Sequence, residues 1–291
     1  MTTPSLPIIQ LTIIGCGTLA SGIVDGLRNQ HNLTRSYRLS LTGRREEHVN
    51  FLRKKHPEAL VTANNCDPRI WAPVPGATAH LVVIGTQPQF TKAVCTEIRD
   101  TIESFCKANP PVVLTMCPGI TISQLQTWLP ANYPIIRSMP NTPVAVGQGA
   151  TALFANKFVT SGSINEIKKV FLNVSPCVEC LNCEDLLDVV ASVSGSGPAY
   201  LFYMAQAMVD AAIAKGLPEK QAKSLVIQSV IGASLLAQRM PQSLSELLDD
   251  VCVPGGSTEK AMATLDLHGA NDAILKAVHV SWQANLEMGK V

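Results

Sequence analysis

An unbroken apolar run, Ile8 to Ile14, passes directly into Gly15-Cys16-Gly17-Thr18-Leu19-Ala20, and a helical pattern follows from Leu19 to Leu27. A strand, a glycine-rich turn and a helix in immediate succession leave few folds open. Gly15 makes the tight turn, Gly17 lets the backbone approach a pyrophosphate, and the small Ala20 in the third fingerprint position lets the helix pack close. The pattern is G-x-G-x-x-A, and its context of strand before and helix after is the one a dinucleotide fold requires. The expected architecture is a parallel sheet with helices on both faces, its ligand lying at the carboxyl ends of the strands.

The alternation continues down the chain. Strands are expected at Arg38 to Thr42, Val61 to Ala63, Ala79 to Ile84 and Pro111 to Met116, with helical patterns at Arg45 to Lys55, Phe90 to Lys107 and Thr121 to Trp128. Tyr133 to Met139, Gly149 to Ala155, a helix from Ser163 to Leu172 and a strand from Pro176 to Leu181 extend the sheet, and the first domain is expected to close near Cys183. An NAD-selective site places Asp or Glu at the end of the second strand, on the ribose 2′-OH. This chain has Gly43-Arg44-Arg45 there. Two guanidiniums suit a 2′-phosphate by charge and by bidentate geometry, so the expected cofactor is NADPH, with NADH possible. The plainer alternative is a solvated basic turn that opens the next helix.

Composition narrows the partners. Net charge is +1 and no run of like charges exceeds three, which argues against nucleic acid and anionic membrane. No apolar run is as long as a bilayer span, and the opening MTTPSLPIIQ has no basic leader region. Nine cysteines, odd in number and irregularly spaced, read as free thiols in a reducing, cytoplasmic setting. Cys177, Cys180 and Cys183 have C-x2-C-x2-C spacing, but PCVECLN reads as a strand, in which residues three apart point to opposite faces, and no metal is expected. Only 15% of residues are charged against 46% hydrophobic, which suggests apolar surface buried between subunits.

From Glu184 onward only helical patterns appear, giving a second, all-α domain over residues 184–291 after an α/β domain over 1–183. Ser194 to Tyr200, SGSGPAY, breaks the chain before a helix to about Lys215 that is apolar almost all round, and such a helix is buried, most simply between subunits. Gly216 suits its C-cap, and Pro218 the first turn of a further helix to about Met240. Ser243 to Val251 is a third helix, and a Gly269 stop and Asn271 cap separate the last two. Directly after the third helix stands Val251 to Thr258, VCVPGGST. Pro254 stops the preceding helix, and Gly255 and Gly256 turn the backbone where a Cβ would clash. Ser257 and Thr258 stand where hydroxyls commonly cap a helix. A helix start with free N–H groups is a carboxylate site; the bland alternative is a well-capped joint between helices.

Together GCGTLA, the strand ending in GTQPQ, CPGITISQL, Arg137 with MPNTP, SGSGPAY and VCVPGGST resemble, in order and nearly end to end, the pyrroline-5-carboxylate reductase family. The resemblance implies reduction of a cyclic imine to proline by hydride transfer, in a homodimer or larger homo-oligomer interlocked through the C-terminal helices. It implies that Gly15, Gly17, Thr18 and Leu19 meet the pyrophosphate, that Arg44 and Arg45 meet the 2′-phosphate, and that Asn65, Gly85, Gln87, Pro88, Cys117 and Asn141 line the cofactor. Gly255, Gly256, Ser257 and Thr258 would hold the substrate's carboxylate and ring nitrogen, with Val253 beside them. Thr258 is the hydroxyl expected to orient the nitrogen and relay its proton. Three positions depart from the family pattern. Val253 replaces a serine, Leu248 stands where a lysine is usual, and Gly85-Thr86-Gln87-Pro88 lacks the lysine of A-V-K-P. A less polar pocket leaves two alternatives open: a ring-substituted or six-membered cyclic imine as substrate, or a silent NADP-binding assembly protein.

Overall fold

The computed structural model describes residues 6–28, 36–106 and 109–290. The fingerprint strand, β1 (Ile8–Ile14), and the helix after it, α1 (Thr18–Arg28), form as the pattern requires. There follow β2 (Ser36–Thr42), α2 (Glu46–Lys55), β3 (Leu60–Thr62), a one-turn α3 (Pro68–Trp71), β4 (Ala77–Ile84), α4 (Pro88–Cys106), β5 (Val112–Thr115), α5 (Ile122–Trp128) and β6 (Ile135–Pro140). The expected end of α4 at Lys107, like the first five residues, lies outside the described ones. A 3-10 turn (Thr142–Val146), β7 (Ala150–Ala155), α6 (Ser161–Leu172), β8 (Cys177–Cys180) and α7 (Leu186–Val190) complete this part.

The strands form one sheet in the order β3-β2-β1-β4-β5-β6-β7-β8. Order reverses between β1 and β4, so the glycine turn sits at the switch point where such sheets bind ligands. All pairs are parallel except β6 with β7. That exception has a simple cause. The stretch between β6 and β7 holds only the 3-10 turn, too short for the crossover a parallel return needs.

Period-two alternation sends neighbouring residues of each strand to opposite cores. On β4, Leu81 and Val83 join α1, α2 and α6 in one cluster, while Val82 and Ile84 join α3, α4 and α5 in the other. Ala20 packs close against the sheet as expected, beside the end of β4, but the other small residues of α1 serve a different contact. Gly22 and Gly26 face the 3-10 turn: a Cβ on Gly22 would lie 3.3 Å from Ala145 Cβ, and one on Gly26 would strike the Val144 carbonyl oxygen.

The chain divides into two compact units, Met1–Gly195 with Ser281–Val291, and Ser196–Val280. SGSG does not simply break the helix. Ala191–Gly195 forms a π turn continuous with α7, and α8 (Gly197–Ala214) starts after Ser196. Next come α9 (Glu219–Arg239), α10 (Leu244–Val251), α11 (Ser257–Leu267) and α12 (Ala270–Met288). Gly269 ends α11 with φ 68°, but Asn271 is not a cap, because α12 already begins at Ala270. In the second unit, α8 and α9 pack through Ala205, Val209, Ala222 and Val226. Phe202, Tyr203, Leu225 and Leu267 are 67%, 81%, 60% and 82% exposed.

Candidate active site

The glycine turn is built by its neighbours. Gly15 has φ 75°, and a Cβ there would lie 2.8 Å from Thr86 Cγ2, so the position admits glycine alone. Gly85, at the end of β4, is equally constrained: its Cβ would meet Gly15 O at 2.9 Å and Ala20 Cβ at 3.4 Å. Gly17 differs. Nothing lies within 4 Å of where its Cβ would be, and Gly17 and Thr18 are exposed. The N–H groups of the first turn of α1, from Thr18 and Leu19 onward, have no partner inside the helix. An open, donor-rich cradle is therefore in place for an anion.

A relay of hydrogen bonds fixes that cradle. The Gly15 N–H donates to Thr42 Oγ1 at 3.0 Å, the Thr42 hydroxyl donates to Asn65 Oδ1 at 2.7 Å, and Asn65 Nδ2 donates to Glu97 Oε2 at 3.0 Å. The His48 imidazole, from α2, holds the carbonyl of Cys16 at 2.7 Å through Nε2. Asn65, read as a cofactor contact, thus spends its side chain on the turn. Cys16 is buried beneath, and burial pushes its thiol up to about 12, so it stays neutral.

Arg44 and Arg45 follow β2 and are exposed, and neither forms an ion pair among the described residues. The Arg44 guanidinium lies over the Phe90 ring, 4.7 Å from its centroid. Gln87 is exposed and accepts from Gln89 Nε2 at 2.9 Å, while Pro88 opens α4.

Two predicted contacts point elsewhere. Cys117 is 2% exposed, and its thiol donates to Thr86 O at 2.8 Å and lies 3.3 Å from Thr91 Oγ1. It braces the GTQP turn from behind. Asn141 is 9% exposed; its Oδ1 accepts from Ala150 N at 2.8 Å and its Nδ2 donates to Ser194 O at 3.2 Å. Its amide joins the end of β6 to the π turn.

The VCVPGGST turn lies in the second unit, between α10 and α11. Gly255 has φ 76°, and a Cβ on Gly256 would lie 2.8 Å from Val253 O. The capping expectation needs correction. Gly256, not a hydroxyl, is the N-cap, and Ser257 and Thr258 are the first two helical residues. Their hydroxyls have no hydrogen-bond partner among the described residues. Not every turn N–H is free, either. Gly256 N donates to Val253 O at 2.9 Å, and Gly255 N donates to the Glu259 carboxylate at 2.8 Å. Donors remaining for a ligand are those of Ser257, Thr258 and Glu259. Glu259 three residues past the cap was a legible signal, since a carboxylate there commonly reaches back.

Sequence reasoning missed a buried ion cluster. Arg137, on β6 and 2% exposed, pairs with Glu184 at 3.0 Å and with Asp188 at 3.2 Å. Among the described residues no group of His, Cys, Asp and Glu could hold a metal ion, and no helix is long and apolar enough to cross a membrane.

A reversal of strand order at an open glycine turn, with unpaired arginines beyond the next strand, defines a Rossmann-type dinucleotide-binding fold. A family model described as pyrroline-5-carboxylate reductase dimerisation matches residues 184–288. The chain is 42% identical over 290 residues to a delta-1-pyrroline-5-carboxylate reductase of Gibberella fujikuroi, covering 97% of each. A solved pyrroline-5-carboxylate reductase from Coxiella burnetii superposes with TM-score 0.80 at 30% identity, over 97% of this chain and 99% of that one. A pyrroline carboxylate reductase from Plasmodium falciparum, solved with NADP bound, shares the fold at TM-score 0.81 and 22% identity, over 97% of this chain and 98% of that one. The chain belongs to the pyrroline-5-carboxylate reductase family.

Proposed function

We propose that this protein is an NADPH-dependent oxidoreductase that reduces 1-pyrroline-5-carboxylate to L-proline. The observation that carries the reading is the open cradle at Gly17, with exposed Arg44 and Arg45 just after the neighbouring strand β2, on a chain of this family. The residues fit the cofactor. Gly15, Gly17, Thr18 and Leu19 would hold the pyrophosphate, Arg44 and Arg45 the 2′-phosphate, and Gly85, Gln87 and Pro88 the wall beyond the switch point. When bound, the cofactor supplies a hydride to the imine carbon.

The protein's own task is to place the substrate and manage one proton. The N–H groups of Ser257 and Thr258 would take the carboxylate at the start of α11. The unpartnered Thr258 hydroxyl would hold the ring nitrogen and pass a proton to it as it becomes an amine. Its pKa lies far above neutrality, so it orients and relays rather than acting as a strong acid.

Residues 1–183 are assigned to cofactor binding and 184–291 to dimerisation and substrate binding. Large exposed side chains such as Phe202 and Tyr203 leave α8 with a core of its own too small to hide its apolar surface, which supports a homodimer through these helices. Nine free thiols and near-neutral charge fit a cytoplasmic protein without nucleic-acid or membrane partners.

A second reading has its own support. Val253 and Leu248, 65% and 43% exposed, put apolar surface on and just before the turn. That suits a substituted or six-membered cyclic imine. Following NADPH absorbance with pyrroline-5-carboxylate, and with a panel of larger cyclic imines, decides between the substrates. Cofactor binding without turnover of any imine would overturn both and leave an assembly role.

A further inference from the structure

The Arg137 cluster lies outside the roles assigned so far, and it joins three turns that are distant in the chain. Glu184 Oε1 accepts from Arg137 Nη1 at 3.0 Å and from the backbone N–H of Ile122 at 2.7 Å, so one carboxylate grips β6 and the first turn of α5 together. Asp188, on α7, takes the other arm of the guanidinium at 3.2 Å. The carbonyl of Asp188 also accepts from Asn285 Nδ2 at 3.4 Å. Four residues on from Arg137, Asn141 donates to Ser194 O in the π turn. Leu187 and Ala191 pack on Met139 of the same strand. The result is a clasp that locks the π turn and the start of α5 against the end of β6.

The location gives the clasp a purpose. β1 separates the sheet into two sides. Arg44 and Arg45 lie on the β2 side, which therefore receives the adenosine half of a dinucleotide whose pyrophosphate rests at Gly15 and Gly17. The nicotinamide half must extend the other way, over the carboxyl ends of β4, β5 and β6. The clasp holds two of these three, the turn from β5 into α5 and the end of β6, and a π turn in a helix often marks a functional site.

We propose that Arg137, through Glu184 and Asp188, is a positioning residue for the nicotinamide half of the cofactor. The proposal rests on the cofactor reading above. It is tested by titrating wild type and Glu184→Gln with NADPH and with 2′,5′-ADP, a fragment that lacks the nicotinamide. Glutamine keeps an acceptor for Ile122 N–H but removes the charge. NADPH affinity is expected to fall about tenfold, the scale of one net hydrogen bond, while 2′,5′-ADP stays within about twofold. Asp188→Asn, which keeps the backbone carbonyl used by Asn285, gives the same split and guards against a folding defect in the first variant. Unchanged NADPH affinity, or equal weakening of both ligands, would overturn the proposal. Wild-type protein that bound neither ligand would instead remove the cofactor reading and the clasp's role with it.

Discussion

Replacing Arg44 and Arg45 together by alanine tests the cofactor choice most directly. Both guanidiniums are exposed and pair with no carboxylate among the described residues, so the fold should be untouched. A hydrogen bond to a charged group contributes about 1.5–3 kcal/mol. Exposure and salt screening reduce that to about 1 kcal/mol per arginine here. The pair then contributes about 2 kcal/mol, or roughly a thirtyfold change in affinity at 1.4 kcal/mol per tenfold. NADH lacks the 2′-phosphate and should shift by less than about twofold. Phe90 holds the Arg44 guanidinium in place through its ring face, so Phe90→Leu should weaken NADPH alone, by a few-fold, through about 0.5–1 kcal/mol of lost cation–π contact. Fluorescence titration of both nucleotides, with steady-state KM beside it, reads these effects. Equal losses for NADPH and NADH would mean the arginines do not meet a phosphate.

Three other outcomes are expected. Thr258→Ala should lower kcat by about ten- to a hundredfold, the range for one positioned donor, while Thr258→Ser keeps most of it; unchanged turnover in the alanine variant removes the hydroxyl from the mechanism. Gly26→Ala gains up to about 1 kcal/mol of helix propensity, but its Cβ would strike the Val144 carbonyl and lie 2.8 Å from Val174 Cγ1. Overpacking costs about 1–3 kcal/mol, so urea midpoints should fall, and a rise would show that α1 and the 3-10 turn can separate freely. Burial pushes the His80 imidazole from 6.5 down to about 4, with Nε2 bonded to Thr12 Oγ1 at 3.1 Å. The unfolded chain therefore binds a proton between these values that the folded one refuses, and stability falls as pH drops through that window. At pH 5 the loss from this group is about 2 kcal/mol. His80→Gln should remove that part of the difference between denaturation curves at pH 7 and pH 5, and an undiminished difference would locate the proton uptake elsewhere.

Much of the first unit was legible because its signals are local. An apolar run with a glycine turn and a small-residue helix can be read within twenty residues, and β1 and α1 formed where that pattern put them. The antiparallel β7 was readable in principle, since the gap after β6 is too short for a crossover, but runs of apolar residues alone do not reveal strand direction. Cys117 and Asn141 stood in the right turns, yet which way a side chain points at a strand end depends on the neighbour it finds. Thr86 drew the thiol inward, and Ser194 took the amide.

The sequence by itself determined the element types, the tight turns at Gly15 and Gly255, and the family, because sterics, periodicity and motif order act along the chain. Only the tertiary structure decided that Gly22 and Gly26 receive a 3-10 turn, that Thr42 and Asn65 brace the cradle, and that Arg137 finds Glu184 47 residues away. Those pairings join residues far apart in sequence, and their energy exists only once the sheet has set its strand order and brought the partners within hydrogen-bond reach.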